Sequence, residues 1–293
     1  MHRGDLMNPG KPNTIEIMNV RQVAPQVFEA DSEDLGFRSL FGGQVLGQSV
    51  IAASHTVDKE LSPHSMHAYF LRQGQPDQAV QYHVTITRNG RSFCTREVSA
   101  KQNGSTIFCM TASFQRQEEG PNHQAKSPKV PGPEGLLSEE EHMRLIQMHL
   151  PADRRAKLTA ERSVEIRIVN RPDPLRPTVR APIKHAWFRV KSALPENPNL
   201  HTALLAYASD FGISLTGLQP HGLSISSPDV RVASLDHAIW FHRTCHLDDW
   251  HLYEMESTSA ASGRSFNRGQ IFTRDGTLVA SVAQEALLRQ KKQ

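Results

Sequence analysis

The tetrapeptide GRSF occupies residues 90–93 and occurs a second time at residues 263–266. A turn dipeptide follows each copy, Asn103-Gly104 after the first and Asp275-Gly276 after the second. Asn-Gly and Asp-Gly favour the positive φ angles of tight β-hairpins. The chain therefore contains the same predicted hairpin twice.

The similarity between the two copies extends to both sides of these turns. Downstream, each turn leads into an apolar strand, STIFCMTASF at 105–114 and TLVASVAQEALL at 277–288. Upstream, HSMHAYFLR at 64–72 resembles SLDHAIWFHR at 234–243. Because similar segments recur in the same order, we interpret the chain as an internal duplication.

Each copy begins with small and apolar residues that are typical of a buried helix, FGGQVLGQSVIAASHTV at 41–57 and HTALLAYASDFG at 201–212. In VQYHVTI at 80–86, apolar and polar residues alternate, as they do in a half-buried strand. Each copy thus predicts one helix followed by long antiparallel strands. The predicted fold class is α+β.

A segment rich in proline and polar residues, 115–133, separates the copies and is typical of a linker. The sequence predicts a helical segment at about 136–158, begun by SEEE, and the first strand of the second unit at 162–170. The predicted organisation is an N-terminal domain at 1–116, a linker with a helical segment at 117–160, and a C-terminal domain at 161–293.

Composition excludes several classes of protein. The chain has 293 residues, of which 38% are hydrophobic and 22% charged, so a substantial core is expected. Its net charge is only +3 and its basic residues are scattered, which does not predict a nucleic-acid surface. No apolar stretch reaches the length of about 18 residues that predicts membrane insertion.

Cysteine and histidine usage gives two further expectations. The three cysteines have no framework spacing, and the chain has neither a secretory signal nor a peroxisomal Ser-Lys-Leu ending, so we expect a cytoplasmic protein. His242, Cys245 and His246 lie close together but match no zinc pattern. We expect neither a metal nor an organic cofactor.

Seven segments of the chain resemble the acyl-CoA thioesterase II family. The resemblance implies a tandem, or double, hotdog fold, in which each unit is a long helix wrapped by a curved antiparallel sheet and the two sheets pair side by side. It also implies hydrolysis of fatty acyl-CoA thioesters to free fatty acid and coenzyme A, and assembly as a homodimer or homotetramer. The matching segments are SEDLGFRSLFGGQVLGQ (32–48), HSMHAYFLRQG (64–74), NGSTIFCMTASFQ (103–115), YASDFG (207–212), LQPHG (218–222), SLDHAIWFHR (234–243) and AQEALLR (283–289).

The resemblance assigns the catalytic roles of the family to Asp210, Ser234 and Gln284. Ser234 departs from bacterial relatives, which often have threonine there, but either residue supplies a hydroxyl. Asp210 would act as general base, and Ser234 and Gln284 would orient a water molecule. The absence of a G-x-S-x-G motif argues against a serine nucleophile.

The duplication bears on the location of this site. Counting from the turn glycines, Ala112 in the first copy takes the position of Gln284. Aligning the two strand segments places His64 at the position of Ser234. We therefore expect a site built mainly from second-copy residues.

Other polar residues are weaker candidates for substrate binding. Gln44 and Gln48 are expected near the acyl tunnel or the facing unit. His67 and His237 occur once in each copy and are interpreted as structural histidines. Arginine suits phosphate groups, so four arginines are candidates for the phosphates of coenzyme A: Arg72, Arg91, Arg264 and Arg268.

Glycines 42, 43 and 47 resemble a phosphate-binding loop only superficially, because the motif lysine is missing. We expect them to allow close packing of a helix on the sheet.

Three alternatives remain open at this stage. From composition alone, Asp210 is more typical of a solvated residue at the end of a helix than of a base. A hydratase or dehydratase of hotdog type would require a histidine–acid pair on a helix, and the sequence places none beside Asp210. A non-catalytic acyl-CoA-binding module would not depend on Asp210 at all.

Overall fold

One continuous antiparallel sheet runs through the computed structural model, which describes residues 14–227 and 229–290. Within these residues the sheet contains 13 strands. Their bounds are β1 (Arg21–Ala24), β2 (Val27–Ala30), β3 (Leu61–Phe70), β4 (Val80–Asn89), β5 (Phe93–Gln102), β6 (Ser105–Arg116), β7 (Val164–Val169), β8 (Ile183–Val190), β9 (Val230–Ser234), β10 (Asp236–Phe241), β11 (His251–Ala261), β12 (Arg264–Thr273) and β13 (Leu278–Gln290).

The two halves of the chain meet where β3 pairs with β10. The strand order is β1-β2-β4-β5-β6-β3-β10-β13-β12-β11-β8-β7, and β9 lies beside β13. The junction is antiparallel, with Met66 opposite Ile239 and Ala68 opposite His237. The two similar segments of the predicted repeat are therefore neighbours in the sheet.

The described residues form five α-helices and two 3-10 helices. The helices are α1 (Thr14–Ile17), α2 (Gly42–Ser54), α3 (Glu139–Leu145), α4 (Arg155–Leu158) and α5 (Pro198–Ser209), with 3-10 helices at Gln147–His149 and Thr216–His221. The predicted helices of the two copies are α2 and α5, which pack against each other and join the main hydrophobic core. Asn197 caps α5 by accepting hydrogen bonds from the amides of Asn199 and Leu200. Because α5 ends at Ser209, Asp210 is its C-cap.

Two of the glycines of α2 have a different role from the one expected. An ideal Cβ on Gly43 would lie 2.3 Å from the carbonyl oxygen of Tyr207, and one on Gly47 would lie 2.8 Å from that of Ala203. Both oxygens belong to α5. The expectation of helix–sheet packing was therefore wrong for Gly43 and Gly47, which let the two helices approach each other, whereas an ideal Cβ on Gly42 would lie 2.9 Å from the ring of Phe70 in β3.

The segment between the copies contains several short elements. The predicted N-terminal signal is present, since Ser138 and Glu141 form a reciprocal capping box at the start of α3. The helical segment predicted at 136–158 is present but broken, because α3, a 3-10 turn and α4 follow one another and Pro151 precedes α4. Proline lacks the amide hydrogen that a continuing helix requires.

The linker lies on the face of the second-half strands that points away from α5. Val130 and Leu136 pack on an apolar cluster that includes Trp187. The Trp187 indole donates a hydrogen bond to the carbonyl oxygen of Pro131 (2.8 Å). The linker is thus bound along the sheet.

One of the two predicted turns differs in detail. Asn103 and Gly104 have φ angles of 48° and 74°, as the hairpin signal predicts. In the second turn only Gly276 has a positive φ, because the loop is longer and closes between Thr273 and Thr277. A further tight turn at Ser262-Gly263, with φ angles of 52° and 73°, joins β11 to β12.

Candidate active site

Asp210, Ser234 and Gln284 come together at the C-terminal end of α5. The Gln284 amide nitrogen Nε2 donates to Asp210 Oδ1 at 2.9 Å. The Ser234 hydroxyl also points to Oδ1, at the longer distance of 3.5 Å. Gln284 and Ser234, both far from Asp210 in the sequence, therefore donate to the same oxygen of its carboxylate.

Sheet register explains why the last two side chains meet. Ser234 at the end of β9 lies opposite Ala286 of β13. Gln284 is two positions away on the same strand, so its side chain is on the same face of the sheet. Gln284 is fully buried and Asp210 is 7% exposed. The surface-cap interpretation of Asp210 is therefore wrong.

The first half of the chain contributes the N-terminus of α2. The backbone amide of Gly43 hydrogen-bonds to the Asp210 carboxylate. An ideal Cβ on Gly42 would lie 2.7 Å from Asp210 Oδ2, so only glycine leaves room for this contact. Phe41, the N-cap of α2, provides no side-chain cap. The Asp210 carboxylate, at the end of α5, caps α2 instead and lies at the positive end of the α2 dipole.

Sequence reasoning did not find this contribution. The expected site consisted mainly of second-copy residues, whereas the carboxylate lies between the C-terminus of α5 and the N-terminus of α2. The available signal was the Phe41-Gly42-Gly43 start of a helix that has no capping side chain.

The environment of Asp210 favours a basic carboxylate. Burial raises the pKa of Asp210 above that of an ordinary aspartate. The hydrogen bonds from Gln284, from the Gly43 amide and from Ser234 oppose this rise. A carboxylate with increased basicity and three donors that stabilise its charge can accept a proton from a bound molecule.

A histidine also lies beside Asp210. His237 Nδ1 is 3.9 Å from Asp210 Oδ1. The Ser209 hydroxyl donates to the Ala206 carbonyl oxygen (2.7 Å), so it accepts from His237 Nε2–H (2.9 Å). Burial lowers the pKa of His237 to about 3, and its ring is therefore neutral. The sequence had placed no histidine here, and it comes from strand β10.

The amides of Gln44 and Gln48 bind backbone groups of the first half. Gln44 Oε1 accepts from the Glu33 amide at 2.9 Å. Gln48 Nε2 donates to the carbonyl oxygens of Ile17 (2.7 Å) and Asp31 (2.8 Å). These bonds hold the N-terminal segment against α2. A role in substrate binding stays a prediction.

Three of the four candidate arginines have partners outside the trio. Arg264 pairs with Glu285 (2.8 Å) and Arg268 with Glu256 (2.6 Å). Both arginines alternate along β12 with buried inner-face residues, so they point away from the face that carries Gln284. Arg72 donates to the carbonyl oxygen of Thr106, and Arg91 is exposed.

Two absences apply to residues 14–227 and 229–290. No group of three or more His, Cys, Asp or Glu side chains there is arranged to hold a metal ion. No helix in that part of the chain is long and apolar enough to cross a membrane.

Two family models match the chain, one in each half. The model described as acyl-CoA thioesterase matches residues 153–287, and that of the acyl-CoA thioesterase N-terminal domain matches residues 31–115. Acyl-CoA thioesterase 2 of Haemophilus influenzae is 38% identical over 285 residues, which cover 97% of this chain and 98% of the relative. The chain belongs to the acyl-CoA thioesterase family.

Further comparisons agree with this membership. Human acyl-coenzyme A thioesterase 8 is 35% identical over 99% of this chain and 93% of its own. The crystal structure of an acyl-CoA thioesterase II from Mycobacterium marinum has a TM-score of 0.77 at 36% identity, covering 95% of this chain and 99% of that one. A hot dog fold protein from Alicyclobacillus acidocaldarius has a TM-score of 0.74 at 16% identity, covering 95% and 98%.

The family resemblance found in the sequence is thus confirmed. This thioesterase is a thioester hydrolase with acyl-CoA as its class of substrate, and its solved relatives have the hotdog fold. Its own α+β architecture contains one large antiparallel sheet.

Proposed function

We propose that this thioesterase hydrolyses fatty acyl-CoA by means of a water molecule held by Asp210, Ser234 and Gln284. The observation that carries the proposal is the shared oxygen Asp210 Oδ1, which accepts from both other side chains. Hydrolysis requires a positioned water and a group that accepts its proton. Asp210 is that group.

The Gln284 side chain has one end free for the water. Its Nε2 is bound to Asp210, whereas its Oε1 is buried, meets no described residue in hydrogen-bond geometry, and lies close enough to His237 to raise the pKa of that ring. A water that donates one hydrogen to Asp210 and the other to Gln284 Oε1 keeps a lone pair for the thioester carbon. The Ser234 hydroxyl, at 3.5 Å from Asp210, is a third polar group beside the position proposed for the water.

The start of α2 stabilises the charge that moves during the reaction. As the water attacks, negative charge passes from Asp210 to the thioester oxygen. Asp210 lies at the amides of the first α2 turn, where the positive end of the helix dipole is found, and the proposal places the thioester oxygen near the same amides. No covalent enzyme intermediate is required.

The architecture supports a tandem hotdog as the frame of this site. The division into an N-terminal domain at 1–116, a linker at 117–160 and a C-terminal domain at 161–293 is part of the proposal. The β3–β10 junction, with one long helix from each half, supports it. Assembly as a homodimer or homotetramer and a cytoplasmic location remain predictions.

The hydratase alternative depends on His237, which lies beside Asp210. A pKa of about 3 makes its imidazole a weak base, and its Nε2–H is already donated to Ser209. Hydrolysis through Asp210 therefore accounts better for this geometry. A non-catalytic binding module would need the Asp210 carboxylate only as the cap of α2, and it would retain its function in Asp210→Asn.

Release of free thiol from a series of acyl-CoAs tests the proposal. We expect turnover by the wild type, a large loss in Asp210→Asn, and smaller losses in Ser234→Ala and Gln284→Ala. Gln102→Ala is the matched control, because Gln102 is a buried glutamine of the first half that binds backbone groups. Full activity of Asp210→Asn would exclude Asp210 as the base, and an inactive wild type would exclude hydrolysis of these substrates.

A further inference from the structure

Three cations surround a single carboxylate at the edge of the second half. Arg171 follows β7, Lys184 belongs to β8 and Arg162 precedes β7, and all three face Glu139 at the start of α3. The Arg171 guanidinium contacts Glu139 Oε2 through Nη1 at 2.6 Å. We call Arg162, Arg171 and Lys184 the basic cluster.

The positive charge of the basic cluster exceeds that of its counterion. Burial alone would raise the pKa of Glu139, but Arg171, Lys184 and Arg162 hold it below its ordinary value. One carboxylate therefore faces three cations. Burial lowers the pKa of Lys184 to about 8, which is the expected response of an ammonium group in a crowded, cationic interior.

The guanidinium groups of the cluster have unused donors. Arg171 Nε and Nη2 and Arg162 Nε are buried and have no acceptor among the described residues. Buried donors without a partner are rare in folded proteins. Nε and Nη2 form one edge of the Arg171 guanidinium, which is the fork that binds two oxygens of a phosphate or carboxylate. Glu139 occupies Nη1 and leaves this buried edge without an acceptor among the described residues.

The basic cluster lies beside both elements that hold Asp210. Lys184 Nζ donates to the carbonyl oxygen of Gly212 at 3.5 Å, and Gly212 follows Asp210 by two positions. An ideal Cβ on Gly212 would lie 2.5 Å from Lys184 Nζ. On the other side, Arg162 lies over the ring of Phe37, 5.3 Å from its centre. Phe37 packs on Phe41, the N-cap of α2.

The cluster also reaches the surface. The side chains of Arg171 and Glu139 are 15% and 23% exposed. Lys184, which contacts Gly212 near Asp210, and the partly exposed Arg171 thus both carry positive charge around Glu139.

We infer that the basic cluster binds a phosphate group of the coenzyme A part of the substrate. This inference rests on the proposed function. Coenzyme A carries its phosphates on a pantetheine arm of about a dozen bonds, which spans roughly 15 Å when extended. Gly212 and Asp210 are separated by at most about 7 Å of chain. The arm is therefore long enough to pass Lys184 and place a phosphate on the Nε–Nη2 edge of Arg171.

Steady-state kinetics with two matched substrates test the inference. Hexanoyl-CoA carries the phosphates, and hexanoyl-pantetheine lacks them. In Arg171→Gln and Lys184→Met we expect KM for hexanoyl-CoA to rise about tenfold or more with kcat nearly unchanged. With hexanoyl-pantetheine, wild type and variants should have the same kcat/KM.

Three further variants separate binding from general damage. Arg171→Lys should fall between wild type and Arg171→Gln, because it keeps the charge and loses the fork. Glu139→Gln should lower KM for hexanoyl-CoA, whereas structural damage would raise it. Arg274→Gln is the matched control, since Arg274 joins the linker to the second half through Glu134 in the same way and should leave KM unchanged.

Several outcomes would overturn the inference. These are equal losses with both substrates, or an Arg171→Gln variant that behaves like Arg274→Gln. The cluster would also be able to bind a free phosphate ion. If inorganic phosphate raises the thermal stability of the wild type but not of Arg171→Gln, while both have the same KM for hexanoyl-CoA, the cluster does not bind coenzyme A. A wild type that releases no thiol from hexanoyl-CoA would refute the proposed function instead. A wild type that hydrolyses both substrates equally well would refute only this inference.

Discussion

The C-terminal ends of α2 and α5 occupy corresponding places in the two halves, but different side chains fill the space beside them. IAASH at 51–55 corresponds to AYASD at 206–210, so His55 is the C-cap of α2 where Asp210 is the C-cap of α5. The adjacent strand pair differs as well. In the second half Asn267 lies opposite Gln284, and in the first half Arg96 lies opposite Ala112.

The first-half space is filled by a satisfied side chain. Arg96 is 1% exposed and is the largest fully buried residue among those described. All five of its donor positions are used. Its partners are the hydroxyl and carbonyl oxygens of Thr56, the carbonyl oxygens of Arg88 and Thr95, and the side chain of Asn89.

The second-half space retains unused hydrogen-bonding capacity. Gln284 Oε1 and Asn267 Oδ1 are both buried without a partner among the described residues. An unpartnered buried oxygen costs about 1–3 kcal/mol, so its presence at a corresponding place indicates a site for a bound molecule. The same fold therefore supports stability in one half and chemistry in the other.

The largest expected effect is that of Asp210→Asn, which removes the base from the second half. We expect kcat to fall about 10³-fold. Stability should rise at neutral pH, because the folded protein then no longer contains a buried carboxylate with a raised pKa. The gain is complete above the folded pKa of Asp210 and vanishes below its unfolded pKa.

Thiol release and thermal unfolding across pH measure both quantities. Asp58→Asn, at an exposed turn of the first half, is the control and should change neither. A loss of stability in Asp210→Asn would contradict this account of the carboxylate.

Arg96→Met should show the opposite behaviour. It leaves the oxygens around the guanidinium buried without donors, so we expect the free energy of unfolding to fall by about 3 kcal/mol or more. The kcat of the folded protein should change little. Denaturant unfolding measures the loss, and Arg116→Gln, at an exposed ion pair with Glu60, should lose less than about 0.5 kcal/mol. A large change in kcat would mean that the first half takes part in catalysis through this space.

Gln284→Ala should change the pH profile as well as the rate. The hydrogen bond from Gln284 lowers the pKa of Asp210, so its removal raises that pKa further. We expect kcat/KM to fall roughly 10–100-fold, with its acid limb displaced to higher pH. A pH series of initial rates checks this. An unchanged acid limb would show that another group controls it.

The smallest expected effect belongs to Ser234, whose bond to Asp210 is long. Ser234→Ala should lower kcat/KM about fivefold to tenfold. Ser234→Thr keeps the hydroxyl and should retain most of the activity. If both variants lose the same amount, the hydroxyl is not what matters at this position.

Local signals predicted a large part of this fold. The Asn103-Gly104 turn, the two helices and the β4 alternation as far as Val84 depend on a few neighbouring residues, and each is present in the structure, whereas Ile86 is exposed. The Asp275-Gly276 hairpin is present with a longer loop, and the helical segment at 136–158 is broken into short helices around an internal proline. The trio came from the family resemblance, since no local pattern distinguishes a catalytic aspartate from a helix cap.

The sequence by itself determined the duplication, the elements of each copy and the candidates Asp210, Ser234 and Gln284. Only the tertiary structure decided that Asp210 lies at the N-terminus of α2, that Arg96 fills the corresponding space in the first half, and that Lys184 lies beside Gly212. The physical reason is the separation in sequence over which each kind of interaction acts. Turn and helix signals act over a few residues, whereas these contacts join residues far apart in the chain. They depend on the register of the joined sheet and on how closely two glycine-containing helices approach.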